Sequence, residues 1–135
     1  MNGKKNISGY INFTVKDFDP DRITSYSGIK PTLIRKKGQN LTQNERRLPS
    51  RITSWELSSY DLYEKDSIFD DWNYIESIIG NNTGKLREIT NGLNKKIEII
   101  ISSKNYKDGI DIPKSLIEFS VYMNSSIDIF LYSHL

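Results

Sequence analysis

From residue 7 the chain alternates. Ile7, Gly9, Ile11, Phe13 and Val15 fall on one side of an extended backbone, and Ser8, Tyr10, Asn12 and Thr14 fall on the other. A period of two predicts a half-buried strand. The next stretch is punctuated as a short helix. Asp19 suits the N-cap, Pro20 the first helical position and Gly28 the left-handed exit, with Pro31 just beyond. Phe18 and Ile23 stand where a hydrophobic staple would place them.

Thr32 to Arg35 reads as a second strand. Ile52 to Ser58 reads as a third, with Thr53, Trp55 and Leu57 sharing a face. Between them, residues 36–50 lack apolar periodicity and read as a long loop. Phe69, Trp72, Ile75, Ile78 and Ile79 then recur at helical spacing, with Ser67 and Asp70 forming an approximate capping box. Gly80-Asn81-Asn82 interrupts that helix, and Thr83 is expected to cap a shorter one carrying Leu86 and Ile89 and stopped by Gly92. Ile97, Ile99 and Ile101 alternate as a fourth strand, with Ile100 facing the other way. Tyr106 to Gly109 makes a turn. Pro113 opens a helix with Leu116, Phe119 and Met123 inward, and Asn124 ends it. A fifth strand sets Ile127, Ile129 and Leu131 against Asp128, Phe130 and Tyr132. The expected order is β-α-β-β-α-β-α-β: one α+β domain over residues 1–135, its sheet mostly antiparallel and its helices on one face. The leading elements follow the split β-α-β order of ferredoxin-like folds.

Composition narrows the chemistry. The 135 residues include no Cys and a single His, at position 134, which argues against disulfides, thiolate metal sites, a cysteine nucleophile and a Ser–His relay. Glycines are too scattered for a phosphate-binding loop. Asp17, Asp19 and Asp21 alternate but lack the glycine and downstream glutamate of a calcium loop, and capping explains Asp19 better. The expectation is a protein without catalytic residues, cofactor or metal. No apolar run is long enough to span a membrane, and the N-terminus lacks the apolar core of a secretory signal, so a cytoplasmic site is expected.

Several landmarks occur together: DFDPDRITSYSGIKPT at 17–32, Lys37-Gly38, SWELSS at 54–59, and GIDIP with SLIEFSVYMNSSIDIFLY at 109–132. With them the chain resembles, over nearly its whole length, the bacterial family known as domain of unknown function 4279. The resemblance implies an α+β fold on a mostly antiparallel sheet and brings no catalytic residues. Small proteins of this kind look like those found beside polymorphic toxins, which makes immunity to a cognate toxin domain the leading functional expectation.

Charge is unevenly spread beneath a net +2. Residues 30–51 carry Lys30, Arg35, Lys36, Lys37, Arg46, Arg47 and Arg51 against Glu45 alone. Residues 56–76 carry Glu56, Asp61, Glu64, Asp66, Asp70, Asp71 and Glu76 against Lys65 alone. A toxin that cuts nucleic acid needs a basic cleft, which carboxylates can fill. Asp61, Glu64, Asp66, Asp70 and Asp71, with Tyr63 among the interleaved aromatics, are therefore the candidate partner-binding residues. The alternative is a small nucleic-acid-binding module using Lys36, Lys37, Arg46, Arg47 and Arg51 on phosphates. Against it, no aromatic lies within residues 30–54 to stack on bases.

Overall fold

The alternation at the start of the chain becomes β1 (Ile7–Lys16), and the set it buries is the expected one: Ile11, Phe13 and Val15 are enclosed. The computed structural model of the chain describes residues 7–39, 50–62, 65, 67–103 and 110–132. In it β1 is the central strand of a five-stranded sheet. On its two sides β3 (Ser54–Ser58) and β4 (Asn94–Ser103) pair with it antiparallel. Beyond β3 lies β2 (Leu33–Arg35), antiparallel; beyond β4 lies β5 (Ser126–Tyr132), parallel. The spatial order is β2-β3-β1-β4-β5.

Strands β1 and β2 are joined by α1 (Pro20–Ser27) and separated by β3. Strands β3 and β4 are joined through α2 (Ile68–Ile79) and α3 (Thr83–Thr90) and separated by β1. Two interlocked split β-α-β units result, the ferredoxin-like core that the element order predicts. Helix α4 (Lys114–Met123) and β5 extend it by one parallel strand.

Register stacks the apolar alternates. Phe13 lies opposite Leu57 and Ile97, and Ile11 opposite Ile99. Ile23, Ile75, Leu86 and Leu116 from the four helices pack onto that one face. Both indoles are fully buried and each donates to a hydroxyl: Trp55 Nε1 to Thr24 Oγ1 at 3.0 Å, and Trp72 Nε1 to Ser115 Oγ at 3.0 Å. These bonds satisfy the polar edge of two large apolar groups while fixing α1 over β3 and α2 against α4. At Gly9 the strands approach so closely that a Cβ would stand 2.1 Å from the Ile100 carbonyl oxygen, so only glycine fits there.

The helix punctuation holds at α1, where Asp19 Oδ1 accepts from the Asp21 N–H at 3.0 Å and Gly28 exits at φ 75°. Ser67 caps α2, and Asn124 leaves α4 in the left-handed region. Some expectations shift. Asn82, not Thr83, holds the N-cap position of α3, without a side-chain bond. Phe69 is 41% exposed; Ile68 takes the inward position one residue earlier, in line with Trp72, Ile75 and Ile79. Ile129 and Leu131 point to the helix side, yet as edge-strand residues they stay exposed. The turn expected at 106–109 lies outside the described residues. Among those residues no helix is long and apolar enough to cross a membrane.

Candidate binding face

The acidic cluster read from the sequence is not one surface. Asp71 sits in the first turn of α2 on its buried side, 2% exposed, where its Oδ1 accepts from Ser59 Oγ at 2.7 Å and pairs with Lys65 Nζ at 2.8 Å. Ser59 Oγ also accepts from the Ile11 N–H at 2.9 Å, and Lys65 Nζ donates to the Gly9 carbonyl. The network therefore clamps α2 to β1 where the β1–β3 ladder ends. Burial pushes the Asp71 carboxyl above its ordinary 3.8, outweighing the hydrogen bonds from Lys65 and Ser59 that favour the anion. Asp71 is thus corrected from a partner-facing residue to a structural one. Adjacent residues on a helix point about 100° apart, so neighbouring Asp70 remains partly exposed. Asp61 is exposed on the opposite side of the sheet. Tyr63, Glu64 and Asp66 lie outside the described residues.

The basic segment is similarly divided. Arg35 Nε stands 3.1 Å from Glu56 Oε2, and Lys36 Nζ donates to Asp21 Oδ2 at 2.7 Å. That carboxylate raises the Lys36 ammonium above its usual range. Lys37 and Arg51 are exposed, while Arg46 and Arg47 lie outside the described residues. The base of the loop is tied: Gly38 N–H donates to Ser50 O, and Ser50 N–H to Gln39 O, both at 2.8 Å.

The alternating residues that do not face the core gather on the sheet's other side, which carries no helix among the described residues. Strand register brings together Leu33 and Arg35 of β2, Glu56 and Ser58 of β3, Tyr10 and Asn12 of β1, Glu98 and Ile100 of β4, and Asp128 and Phe130 of β5. Tyr60, in the turn after β3, meets the Tyr10 ring edge-on at 5.0 Å and 89°. Leu33, Tyr60 and Phe130 are exposed apolar groups. Charges of both signs are interspersed, with Lys96 paired to Asp128 at 3.3 Å and Arg35 to Glu56. A pocket of about 340 Å³ opens at the β3 end of this face, lined by Tyr10, Asn12, Arg35, Glu56, Tyr60 and Asp61 among others.

Sequence reasoning missed Asn12, Leu33 and Glu56 as members of a site. The one signal available was that Tyr10 and Asn12 alternate with the buried set; their neighbours come from strand register, which a single sequence does not display. Among the described residues no cluster of His, Cys, Asp and Glu is arranged to hold a metal ion.

Core, sheet order and face together define an α+β protein with a ferredoxin-like centre and one sheet surface that none of the described helices covers. The family model described as a domain of unknown function, DUF4279, matches residues 5–134, and the chain belongs to that family. No curated protein and no solved structure matches it.

Proposed function

We propose that this protein is an immunity protein, which binds a cognate toxin domain in the cytoplasm of the producing cell and blocks it, using the helix-free face of the sheet as its grip. The observation that carries the reading is that face itself. It holds exposed apolar groups, Leu33 and Phe130 on its two edge strands and Tyr60 in the turn after β3, interspersed with charges of both signs, a mixture found in protein–protein contacts. Its charges also argue against a nucleic-acid surface, which needs cations in excess to replace counterions along a phosphate chain, whereas Arg35 and Lys96 here stand among Glu56, Asp61, Glu98 and Asp128. The immunity role rests on the resemblance to proteins encoded beside toxins, and the face supplies the physical means.

The test is co-expression with the C-terminal domain of the protein encoded immediately upstream, reading growth and complex formation. The wild type should protect and co-purify. Paired Tyr10→Ala and Phe130→Ala substitutions should abolish both, whereas Asp70→Lys, on the helix-covered side, should leave them intact. Absence of protection and of a complex would overturn the reading. So would retention of the free protein on nucleic acid at low salt with steep release as salt rises, which would favour the phosphate-binding alternative.

A further inference from the structure

The two edges of the sheet are finished differently. β2 is three residues long, contains Arg35, follows Pro31 and runs into Lys36 and Lys37. Short length, proline and cations keep an edge strand from pairing with another chain. β5 has none of these features. It is seven residues long, holds no proline or lysine, and its one charge, Asp128, is answered by Lys96 at 3.3 Å. Among the described residues β5 pairs on one side only, with β4. Ile129 and Leu131 on its helix side are each 44% exposed, and Phe130 on its open side is 42% exposed.

Helix α4 continues this apolar edge. Trp72 of α2 donates to Ser115, and Arg87 of α3 lies over the Tyr122 ring at 4.6 Å. Ser115 and Tyr122 thus mark the flank of α4 that faces the other helices. At about 100° per residue, Ile117 and Val121 stand on the other flank, which looks out past β5. They are 45% and 77% exposed. An apolar strip therefore runs along the margin where the sheet and the helix layer both end.

We propose that β5 and α4 form a two-fold interface with a second copy of this chain, the two β5 strands pairing antiparallel into one continuous sheet. A two-fold contact needs a surface that complements itself. Centred on Phe130, the antiparallel register sets that ring against its own copy and sets Ile129 against Leu131 on each side of the axis. The same symmetry lays Ile117 and Val121 of the two α4 helices beside each other over the new seam. Asp128 is already held by Lys96, so it brings no unanswered charge to the pairing. At these exposures, five residues of about 200 Å² each leave on the order of 500 Å² open per copy, and about 1,000 Å² over both, where specific interfaces begin. The ladder hydrogen bonds between the strands add to that area. A strand from an unrelated protein would supply the ladder alone, whereas a second copy supplies the ladder, the strip on β5 and the flank of α4 together. The open face stays accessible in this arrangement, so the inference goes beyond the immunity reading and does not depend on it.

The experiment is sedimentation equilibrium of the full chain over about 1–200 μM, paired with hydrogen exchange of the β5 amides. The wild type should approach twice the 15.7 kDa of one chain, with a dissociation constant of roughly micromolar order. Alternate amides of β5, those on its outer side, should exchange more slowly as concentration rises. Val121→Glu and Ile129→Lys each place like charges across the two-fold axis and should each weaken association at least about tenfold. Ile52→Lys, at a 38% exposed site before β3, should leave the mass unchanged. Val121 lies outside the packed side of α4, so the Val121→Glu melt at concentrations below the dissociation constant should match that of the wild type. A single-chain mass at every concentration would overturn the inference. So would a dimer that withstands both substitutions, or β5 amides that slow only when a different protein is added.

Discussion

The two faces of the sheet are made from alternate residues of the same strands, yet they use those residues differently. On the helix-covered side polar groups are tied down along with the apolar ones. Asp71 is held by Lys65 and Ser59, and Lys95 Nζ donates to the Thr90 and Leu93 carbonyls at the end of α3. Ser120 Oγ reaches the Ser125 carbonyl. On the open side Asn12 Oδ1 receives nothing among the described residues, and Leu33, Tyr60 and Phe130 face solvent. A buried polar group without a partner costs stability, and an exposed aromatic gains nothing from burial. Away from its β5 edge, where Ile129 and Leu131 are exposed, the covered face is explained by folding, whereas the open face carries groups that folding does not require. If that contrast is correct, substitutions on the covered face should damage stability, and those on the open face should damage binding.

The largest effect is expected at Trp72. It is fully buried, stacks edge-on with Phe119 at 5.3 Å and donates to Ser115. Trp72→Ala should cost about 3–5 kcal/mol, measured by denaturant unfolding. A loss below about 1 kcal/mol would mean that the covered face is not a close-packed core.

Gly9 comes next. An added methyl would have to displace the Ile100 carbonyl, which belongs to the β1–β4 ladder, so Gly9→Ala should cost about 3 kcal/mol. Hydrogen exchange should quicken first along the amides of β1 and β4. Unchanged protection there would contradict the close approach of the two strands.

How far the sequence announced these faces depends on which physical rule each part obeys. The period of two in residues 7–15 assigned Ile11, Phe13 and Val15 to the core, because alternation is a local property of extended backbone. The α1 caps were equally legible, since Asp19, Pro20 and Gly28 each act within a turn of their own position. The site was not. Arg35 meets Glu56 and Tyr10 meets Tyr60 only because β3 lies between β1 and β2, and pairing order is set by the whole chain. The carboxylate run misled for a related reason: sequence proximity was read as shared surface, while the helix turned Asp71 inward and the sheet lies between Asp61 and α2. β5 alternates as a half-buried strand does, but its edge position leaves Ile129 and Leu131 exposed while Ile127 packs against the core.

Asp71 sharpens the comparison through pH. Its folded pKa is raised above the unfolded 3.8 because burial outweighs its pairing. The folded state then binds the proton more tightly than the unfolded chain. The contribution of this group to stability is therefore fully present below 3.8 and is lost as pH rises through the raised folded value. Measured against Asp71→Asn, the wild type should gain relative stability on acidification from neutral pH. A relative loss instead would show that the pair with Lys65 dominates burial.

The smallest stability effect belongs to the open face and tests the contrast from its other side. Tyr60 is 68% exposed, and the contact that orders its ring is the edge-on meeting with Tyr10. Buried aromatic pairs contribute about 0.5–1.5 kcal/mol beyond area, and solvent at this pair leaves the lower part of that range. Tyr60→Ala should accordingly cost no more than about 0.5 kcal/mol. A double-mutant cycle with Tyr10→Ala should return a coupling of similar size in the free protein. In the complex the same cycle should return a larger coupling, because a partner that covers the two rings removes the water that weakens their contact in the free state. If the coupling is already large without a partner, the tyrosines are there to brace the β1–β3 edge, and the open face serves folding just as the covered one does.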